Sequence, residues 1–159
     1  MTDELKPNGA KPDPDHPGWL SWGHPPPGTF VAATGKFIFR AEGEGEGQAR
    51  VRWFPDETHV NIGGSIFGGA ILSFIDMVLF AGGRCAGMGE GHYVTLDCAT
   101  HFIARGEVNV AMDAVVRIVG ETKGGLVFLS GHCEQGERTT HSFTGTLKRI
   151  RAKVVEPAA

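Results

Sequence analysis

Apolar residues along this chain follow two different periods, and the change from one to the other divides it. Over Ala49–Phe54 they alternate, with Val51 and Trp53 on one side and Arg50 and Arg52 on the other, the pattern of a half-buried strand. Just before it, Thr29–Arg40, with Phe30, Phe37, Ile38 and Phe39, predicts another strand. Further along, His92–Ile103, Glu107–Val119, Gly125–Glu134 and Thr139–Ile150 predict more. The second of these is the clearest, because Val108, Val110, Met112, Ala114, Val116 and Ile118 alternate with mostly polar positions. Turns at Ala104-Arg105-Gly106, Thr122–Gly124 and Gln135-Gly136-Glu137 set them at hairpin spacing, which predicts an antiparallel sheet.

Between the two groups the period changes. Ala70–Ala86 predicts a helix, and Ile71, Phe74, Ile75, Val78 and Leu79 make it apolar nearly all round, as in a buried helix. Gly82-Gly83 and then Gly87 are expected to end it. Such a helix must be covered on most sides, and a single strongly curved antiparallel sheet wrapped around it does this. The predicted class is α+β. A curved sheet leaves edge strands and part of the helix uncovered, so self-association is expected.

The flanks differ from this body. Pro12, Pro14, Pro17 and Pro25–Pro27 keep residues 1–27 from being helix or sheet throughout. Trp19, Leu20 and Trp22 suit a short apolar turn docked on the body; the alternative is a flexible leader. The expected organisation is a proline-rich leader at 1–27, one domain at 28–151 and a tail at 152–159. Glu42–Gly47 reads Glu-Gly-Glu-Gly-Glu-Gly, an acidic hairpin tip rather than a ligand site.

Composition removes several function classes. Net charge is −3 and no basic block occurs, which argues against nucleic acid as a partner. Arg84, Arg105, Lys148, Arg149 and Arg151 read as solvated surface unless folding gathers them. Met1–Pro14 is polar, without the apolar stretch of a secretory leader. Ile62–Gly83 has the length of a membrane span, but Asp76, Ser65, Ser73, its glycines and its flanks favour a core helix, and no membrane partner is expected. Cys85, Cys98 and Cys133 form no Cys-x-x-Cys pair, which fits a reducing, cytoplasmic setting, and all are expected in or near the core. The histidines show neither an i, i+4 helical pair nor a Cys/His cluster, so no metal and no cofactor are expected. No Gly-x-Ser-x-Gly elbow is present, which argues against a serine α/β-hydrolase.

Two features carry chemistry. The first is the glycine-rich start of the helix, His59–Gly69, ending in Phe67-Gly68-Gly69. A helix N-terminus leaves backbone N–H groups without partners and carries partial positive charge, and Gly68 and Gly69 have no side chain to block a ligand. An oxyanion hole for a thioester carbonyl is one reading; close packing of loop on sheet is the other. The second is Asp76, set between Ile75, Met77 and Val78. An unpaired buried carboxylate costs on the order of several kcal/mol, so Asp76 must find a partner or reach water, as a catalytic group or as a structural one. Asp76 lies two helical turns beyond Gly69, ~10 Å along the axis at the usual rise. One carbonyl does not touch both groups of a single helix, so a shared site requires two subunits with antiparallel helices.

His59–Asp76 resembles the signature of the hotdog-fold thioesterase superfamily, in the branch of phenylacetate-pathway and 4-hydroxybenzoyl-CoA-type thioesterases. That pattern has an Asn, a glycine-rich loop, His-Gly-Gly, and an Asp seven residues beyond the second glycine. Here it reads Asn61, Gly63, Phe67-Gly68-Gly69 and Asp76 without a gap. Thr95–Ile103 is similar to the family's third-strand motif, and the resemblance covers roughly Gly28 to Arg151. It implies a hotdog fold and hydrolysis of an acyl-coenzyme A thioester without a metal. It implies Asp76 as general base or nucleophile, and Asn61 as the residue holding water or thioester. It further implies the Gly69 N–H as oxyanion donor, the Thr95 hydroxyl assisting the carboxylate, and a site shared by the subunits of a homodimer or dimer of dimers.

The chain also departs from the pattern. Phe67 stands where His is usual, and a phenyl ring makes no conventional hydrogen bond, which points to an altered substrate site lined by Phe67 and Gly68. His101 and His59 are the candidates to compensate. Ala104-Arg105-Gly106 replaces the usual Arg-Pro, and Arg105 suits a coenzyme A phosphate. Two other functions fit the same fold. Phe67 favours a non-catalytic acyl-CoA or aromatic-ligand binding module. A hydratase or dehydratase needs an acid–base pair near the helix start, and Phe67 weakens that reading.

Overall fold

The computed structural model describes residues 9–43 and 47–151. Most of the acidic turn's tip and the tail 152–159 lie outside the described residues. In chain order the elements are β1 (Lys11–Pro12), β2 (Leu20–Ser21), α1 (Phe30–Ala33), β3 (Phe37–Ala41), β4 (Gln48–Trp53), a 3-10 turn (Glu57–His59), α2 (Gly68–Cys85), β5 (His92–Phe102), β6 (Met112–Glu121), β7 (Leu126–Gln135) and β8 (Arg138–Ile150). The strands form one antiparallel sheet in the order β1-β2-β3-β4-β6-β7-β8-β5. The chain leaves β4 through α2 and returns at the far edge as β5, so the helix crosses the concave face of the sheet.

That crossing makes the core. Phe74, Ile75, Val78 and Leu79 of α2 are fully buried against Phe39, Val51, Trp53, Met112, Ala114, Val116 and Leu147. Trp53 stacks on Phe74 with ring centroids 5.0 Å apart, and its indole N–H donates to the Thr34 carbonyl at 2.6 Å. The polar side of β4 is paired too: Arg50 and Arg52 reach Asp113 at 2.9 and 2.6 Å, and Arg50 reaches Glu134 at 2.7 Å. The fold expected from the hydrophobic pattern is the one observed.

Several boundaries differ from expectation. The strand predicted over Thr29–Arg40 is only Phe37–Ala41; its first part is α1, capped by the Thr29 hydroxyl accepting from the Ala32 N–H. The strand predicted from Glu107 starts at Met112, because Asn109 turns the chain with φ 60°. Gly82 and Gly83 do not end the helix. They lie inside it, where a Cβ on Gly82 would run into Val116 and Val51, so their lack of a side chain lets α2 approach the sheet closely. Gly87, with φ 102°, follows the last helical turn. Nor is α2 covered all round: Leu72 is exposed, and Ser73, Asp76, Met77 and Phe80 are half-buried.

The two sheet edges are treated differently. At one, the proline-rich segment supplies β1 and β2, which pair onto β3. Trp19 is buried beneath the Arg40 and Arg52 guanidinium groups, and Leu20 and Trp22 pack with Phe37 and Phe39. At the other edge, among the described residues, β5 pairs only with β8, and Val94, Leu96 and Phe102 are exposed along it. Cys98 is exposed there as well, contrary to the near-core placing expected for all three cysteines; Cys133 is buried and Cys85 half-buried.

Candidate functional site

Asp76 meets its partner across the helix–edge contact. The Thr95 hydroxyl of β5 donates to the Asp76 carboxylate at 2.7 Å. The carboxylate is half-buried, so it combines one short hydrogen bond with access to water. A register irregularity between Thr95 and Asp97 aims the rest of the strand. In a regular strand Thr95 and Phe102, an odd number of residues apart, would face opposite sides. The bulge shifts the alternation by one, so Thr95 faces α2 at Asp76 while the Phe102 ring lies over the helix start, against Gly68.

The helix start is open. Phe67 occupies the N-cap and offers no side-chain acceptor. Helix geometry gives the Gly68 and Gly69 N–H groups no acceptor within the helix. The Phe67 ring, largely exposed, lies beside Gly69, where a Cβ would approach it to 2.5 Å. The preceding loop is held by its own backbone: Phe67 N–H donates to the His59 carbonyl at 2.7 Å and Ile66 N–H to Gly106 at 3.0 Å. Asn61 serves this loop. Its carboxamide oxygen accepts from Gly63 and Ser65 N–H at 2.8 and 3.2 Å, and its amide donates to the Ser65 hydroxyl at 3.0 Å.

A cleft of about 350 Å³ opens at this point, lined by Asn61, Ser65, Gly68, Phe102, Arg105 and His141 among others. Arg105, exposed at its rim, donates to the Gly63 carbonyl at 3.2 Å. The structure therefore brings Asn61, Phe67, Gly68, Gly69 and Arg105 to one end of α2, and places Asp76 with Thr95 two turns away along it.

His59 and His101 do not line the cleft. His59 is buried in a structural role, with Nδ1 against the Asp56 N–H and Nε2 against the Ala33 carbonyl. His101 is exposed on β5. The imidazole in the cleft is His141 of β8. Its position carries a signal: His141, Phe143, Gly145 and Leu147 form the inward-facing register of β8, so a polar ring stands in an apolar row. Burial pushes the His141 pKa below its ordinary value, so the ring is neutral near pH 7.

Another titratable group lies apart from this site. Asp13, Asp15 and His16 converge, but Lys36 Nζ sits 3.3 Å from Asp13 and 3.0 Å from Asp15, and His16 lies 2.7 Å from Asp13. Lys36 bridges the two carboxylates and fastens the β1–β2 segment to the body.

Comparison with known protein families and with curated proteins finds no match. Solved structures do match. The PaaI protein of the E. coli phenylacetic acid degradation operon is 19% identical with a TM-score of 0.59, over 70% of this chain and 82% of that one. A phenylacetic acid degradation-related protein of Ralstonia eutropha is 18% identical with a TM-score of 0.64, over 78% and 91%. A hypothetical thioesterase protein of Streptococcus pneumoniae, determined with coenzyme A, is 16% identical with a TM-score of 0.60, over 70% and 88%. At these identities the likeness is one of fold, and with the helix wrapped by a single antiparallel sheet it establishes that this chain is a hotdog-fold protein.

Proposed function

We propose that the chain is an acyl-coenzyme A thioesterase whose site is completed across a homodimer. The observation that carries this reading is the combination on one helix of an uncapped Phe67-Gly68-Gly69 start and a half-buried Asp76 held by Thr95. The two ends of that helix face lie too far apart to act on one carbonyl within a chain. A second copy pairing through the unprotected β5 edge, with its helix antiparallel, brings its Asp76 toward the first copy's glycines. The same contact covers Leu72 and Leu96, which are exposed in the single chain. A further pairing of dimers and a cytoplasmic setting, where Cys98 stays reduced, belong to this proposal.

In this reading the Gly68 and Gly69 N–H groups stabilise the negative charge that develops on the thioester oxygen. Asp76 of the other subunit either removes a proton from an attacking water or attacks the carbonyl itself. The C–S bond breaks, coenzyme A leaves as its thiol, and water supplies the carboxylic acid's oxygen and the thiol's proton. Thr95 orients the carboxylate, and Arg105 at the rim meets a phosphate of the coenzyme. The coenzyme A bound to the pneumococcal protein supports the ligand class.

The test is release of free thiol from short, long and arylacetyl-CoA substrates by wild type and by Asp76→Ala. Wild-type release that falls by at least about a hundredfold in the variant supports the assignment. Undiminished release by Asp76→Ala removes Asp76 from the chemistry. A second reading, a non-catalytic acyl-CoA binding module, rests on Phe67 in place of a polar residue at the helix start. Tight binding of acyl-CoA with no release by wild type supports that reading instead.

A further inference from the structure

His141 is almost wholly buried, yet its ring has a nitrogen left over. Nδ1 lies 2.9 Å from the Thr140 hydroxyl, and that hydroxyl lies 3.2 Å from the Cys133 carbonyl. A carbonyl only accepts, so the hydroxyl gives its single proton to Cys133 and receives one from His141 Nδ1–H. This relay fixes the tautomer: in the neutral ring Nε2 carries a lone pair and no proton. Among the described residues nothing hydrogen-bonds Nε2. Every fully enclosed side-chain nitrogen and oxygen among them has a partner. Nε2 is therefore not fully enclosed, and the cleft is the opening that His141 lines.

The helix start that lines the same cleft makes the complementary demand. Gly68 presents helix N–H groups that need an acceptor, while His141 presents an acceptor that needs a donor. A thioester carbonyl answers the first. Arg105 at the rim suits a phosphate. The part of an acyl-CoA that joins its thioester to its phosphates is the pantetheine arm, whose only N–H donors are two amides. We propose that His141 is a positioning residue of this site, its Nε2 accepting a hydrogen bond from a pantetheine amide N–H. The Phe102 ring, edge-on to His141 with centroids 5.1 Å apart, supplies an apolar wall beside the same arm. The inference rests on the acyl-CoA reading above and gives it a specific contact on the coenzyme side of the thioester.

The test is a cycle between residue and ligand. Binding of coenzyme A, pantetheine, and two pantetheine analogues carrying an ester oxygen in place of one amide N–H is measured by calorimetry. The proteins are wild type, His141→Phe and His141→Gln, each checked for fold by circular dichroism. Wild type is expected to lose about tenfold in affinity for one analogue. His141→Phe should bind pantetheine about tenfold more weakly and show no further loss with that analogue, whereas His141→Gln, which keeps an acceptor, recovers most of the affinity. With a turned-over acyl-CoA, His141→Phe should raise KM and leave kcat nearly unchanged. Wild type that binds coenzyme A but discriminates the analogues equally with and without His141 overturns the inference alone. Wild type that binds no coenzyme A overturns the acyl-CoA reading and this contact with it. A His141-dependent gain seen only for hydroxylated acyl groups overturns the contact by placing it on the acyl side.

Discussion

Thr95 and Asp76 are joined by a 2.7 Å hydrogen bond that links the open edge of the sheet to the middle of the central helix. Thr95 also immediately precedes the residue where the register of β5 shifts. Its pairing with Leu147 on β8 holds it on the inward side, and the carboxylate depends on the bond for its orientation. Thr95→Val keeps the shape and removes the donor. Hydrogen bonds to charged groups contribute about 1.5–3 kcal/mol, so thiol release should fall roughly ten- to a hundredfold, while Thr95→Ser retains most of it. Steady-state rates for both variants on one acyl-CoA check this, and an unchanged Thr95→Val rate detaches Thr95 from the site.

Phe67 sets stability against function at the helix start. A Ser or Asp at an N-cap accepts from the N–H groups of the first turn and typically stabilises a helix by about 0.5–2 kcal/mol. Phe67 forgoes that. Phe67→Ser should therefore raise the melting temperature, since the ring it removes is mostly exposed. The same cap would occupy the donors proposed for the thioester oxygen, so activity should drop in the variant that melts higher. Thermal denaturation and thiol release on the same preparation decide it. A Ser variant both more stable and fully active would mean those donors do not serve the oxyanion.

Much of this was legible in the chain, for reasons that name themselves. The alternation at Val51 and Trp53 and the apolar spread of Ile71 to Leu79 record burial directly, so sheet and helix followed. Phe30 misled because apolar residues in a row suit a strand, while Thr29 supplied a helix cap that outweighed them locally. Trp19 and Leu20 suit either a turn docked on the body or a flexible leader, and the pairing of Leu20 into the sheet depends on a long-range partner, Phe39, that no local pattern reveals. The role of His141 was hidden differently. Its strand was visible, but which ring nitrogen is bare follows from Thr140 and Cys133, on a neighbouring residue and a neighbouring strand.

Two strand glycines separate close approach from mere flexibility. A Cβ on Gly131 would press into the Val115 carbonyl and come within 2.6 Å of the Phe143 ring, whereas one on Gly120 would meet nothing within 4 Å. Gly131→Ala should lower stability by about 1–3 kcal/mol, the usual range for overpacking. Gly120→Ala should change it by less than about 0.5 kcal/mol. Chemical denaturation of the two variants beside wild type checks both. Equal midpoints would mean that the sheet yields at Gly131.

The fastening of the β1–β2 segment should be pH-dependent. Burial raises the Asp13 pKa, but hydrogen bonds from His16, Lys36 and the Asp15 N–H outweigh it and hold it down at about 2. A carboxylate held below its unfolded value stabilises the folded form above that value and loses the contribution as pH falls through the folded pKa. Protection of the Leu20 and Ser21 region against amide exchange should therefore fall between about pH 4 and pH 2, before the α2 core opens. Lys36→Met should bring that loss to higher pH. Protection at Leu20 that follows the core amides at every pH would show the segment to be no separate unit.

A site shared between two copies turns on β5. An edge strand left unpaired over its length invites a second strand, and a lysine on such an edge discourages the pairing. Leu96 is the residue to change. It is exposed, and it sits where the register shifts, outside the pairing with β8, so Leu96→Lys leaves the fold's own contacts intact. The variant should sediment as a monomer at concentrations where wild type is a dimer, with an unchanged far-ultraviolet spectrum. If Gly69 and Asp76 act from different subunits, thiol release should fall with the dimer and recover as concentration drives reassociation. The complementary experiment mixes Asp76→Ala with a variant damaged only at the helix start, Phe67→Asp. Each is impaired alone, but a mixed dimer contains one site with both defects and one with neither, so mixing should restore up to about a quarter of wild-type activity under statistical exchange, with half of the dimers mixed and one intact site in each. Failure to complement, in a mixture shown to exchange subunits, would confine the reacting groups to a single chain and require another partner for Asp76.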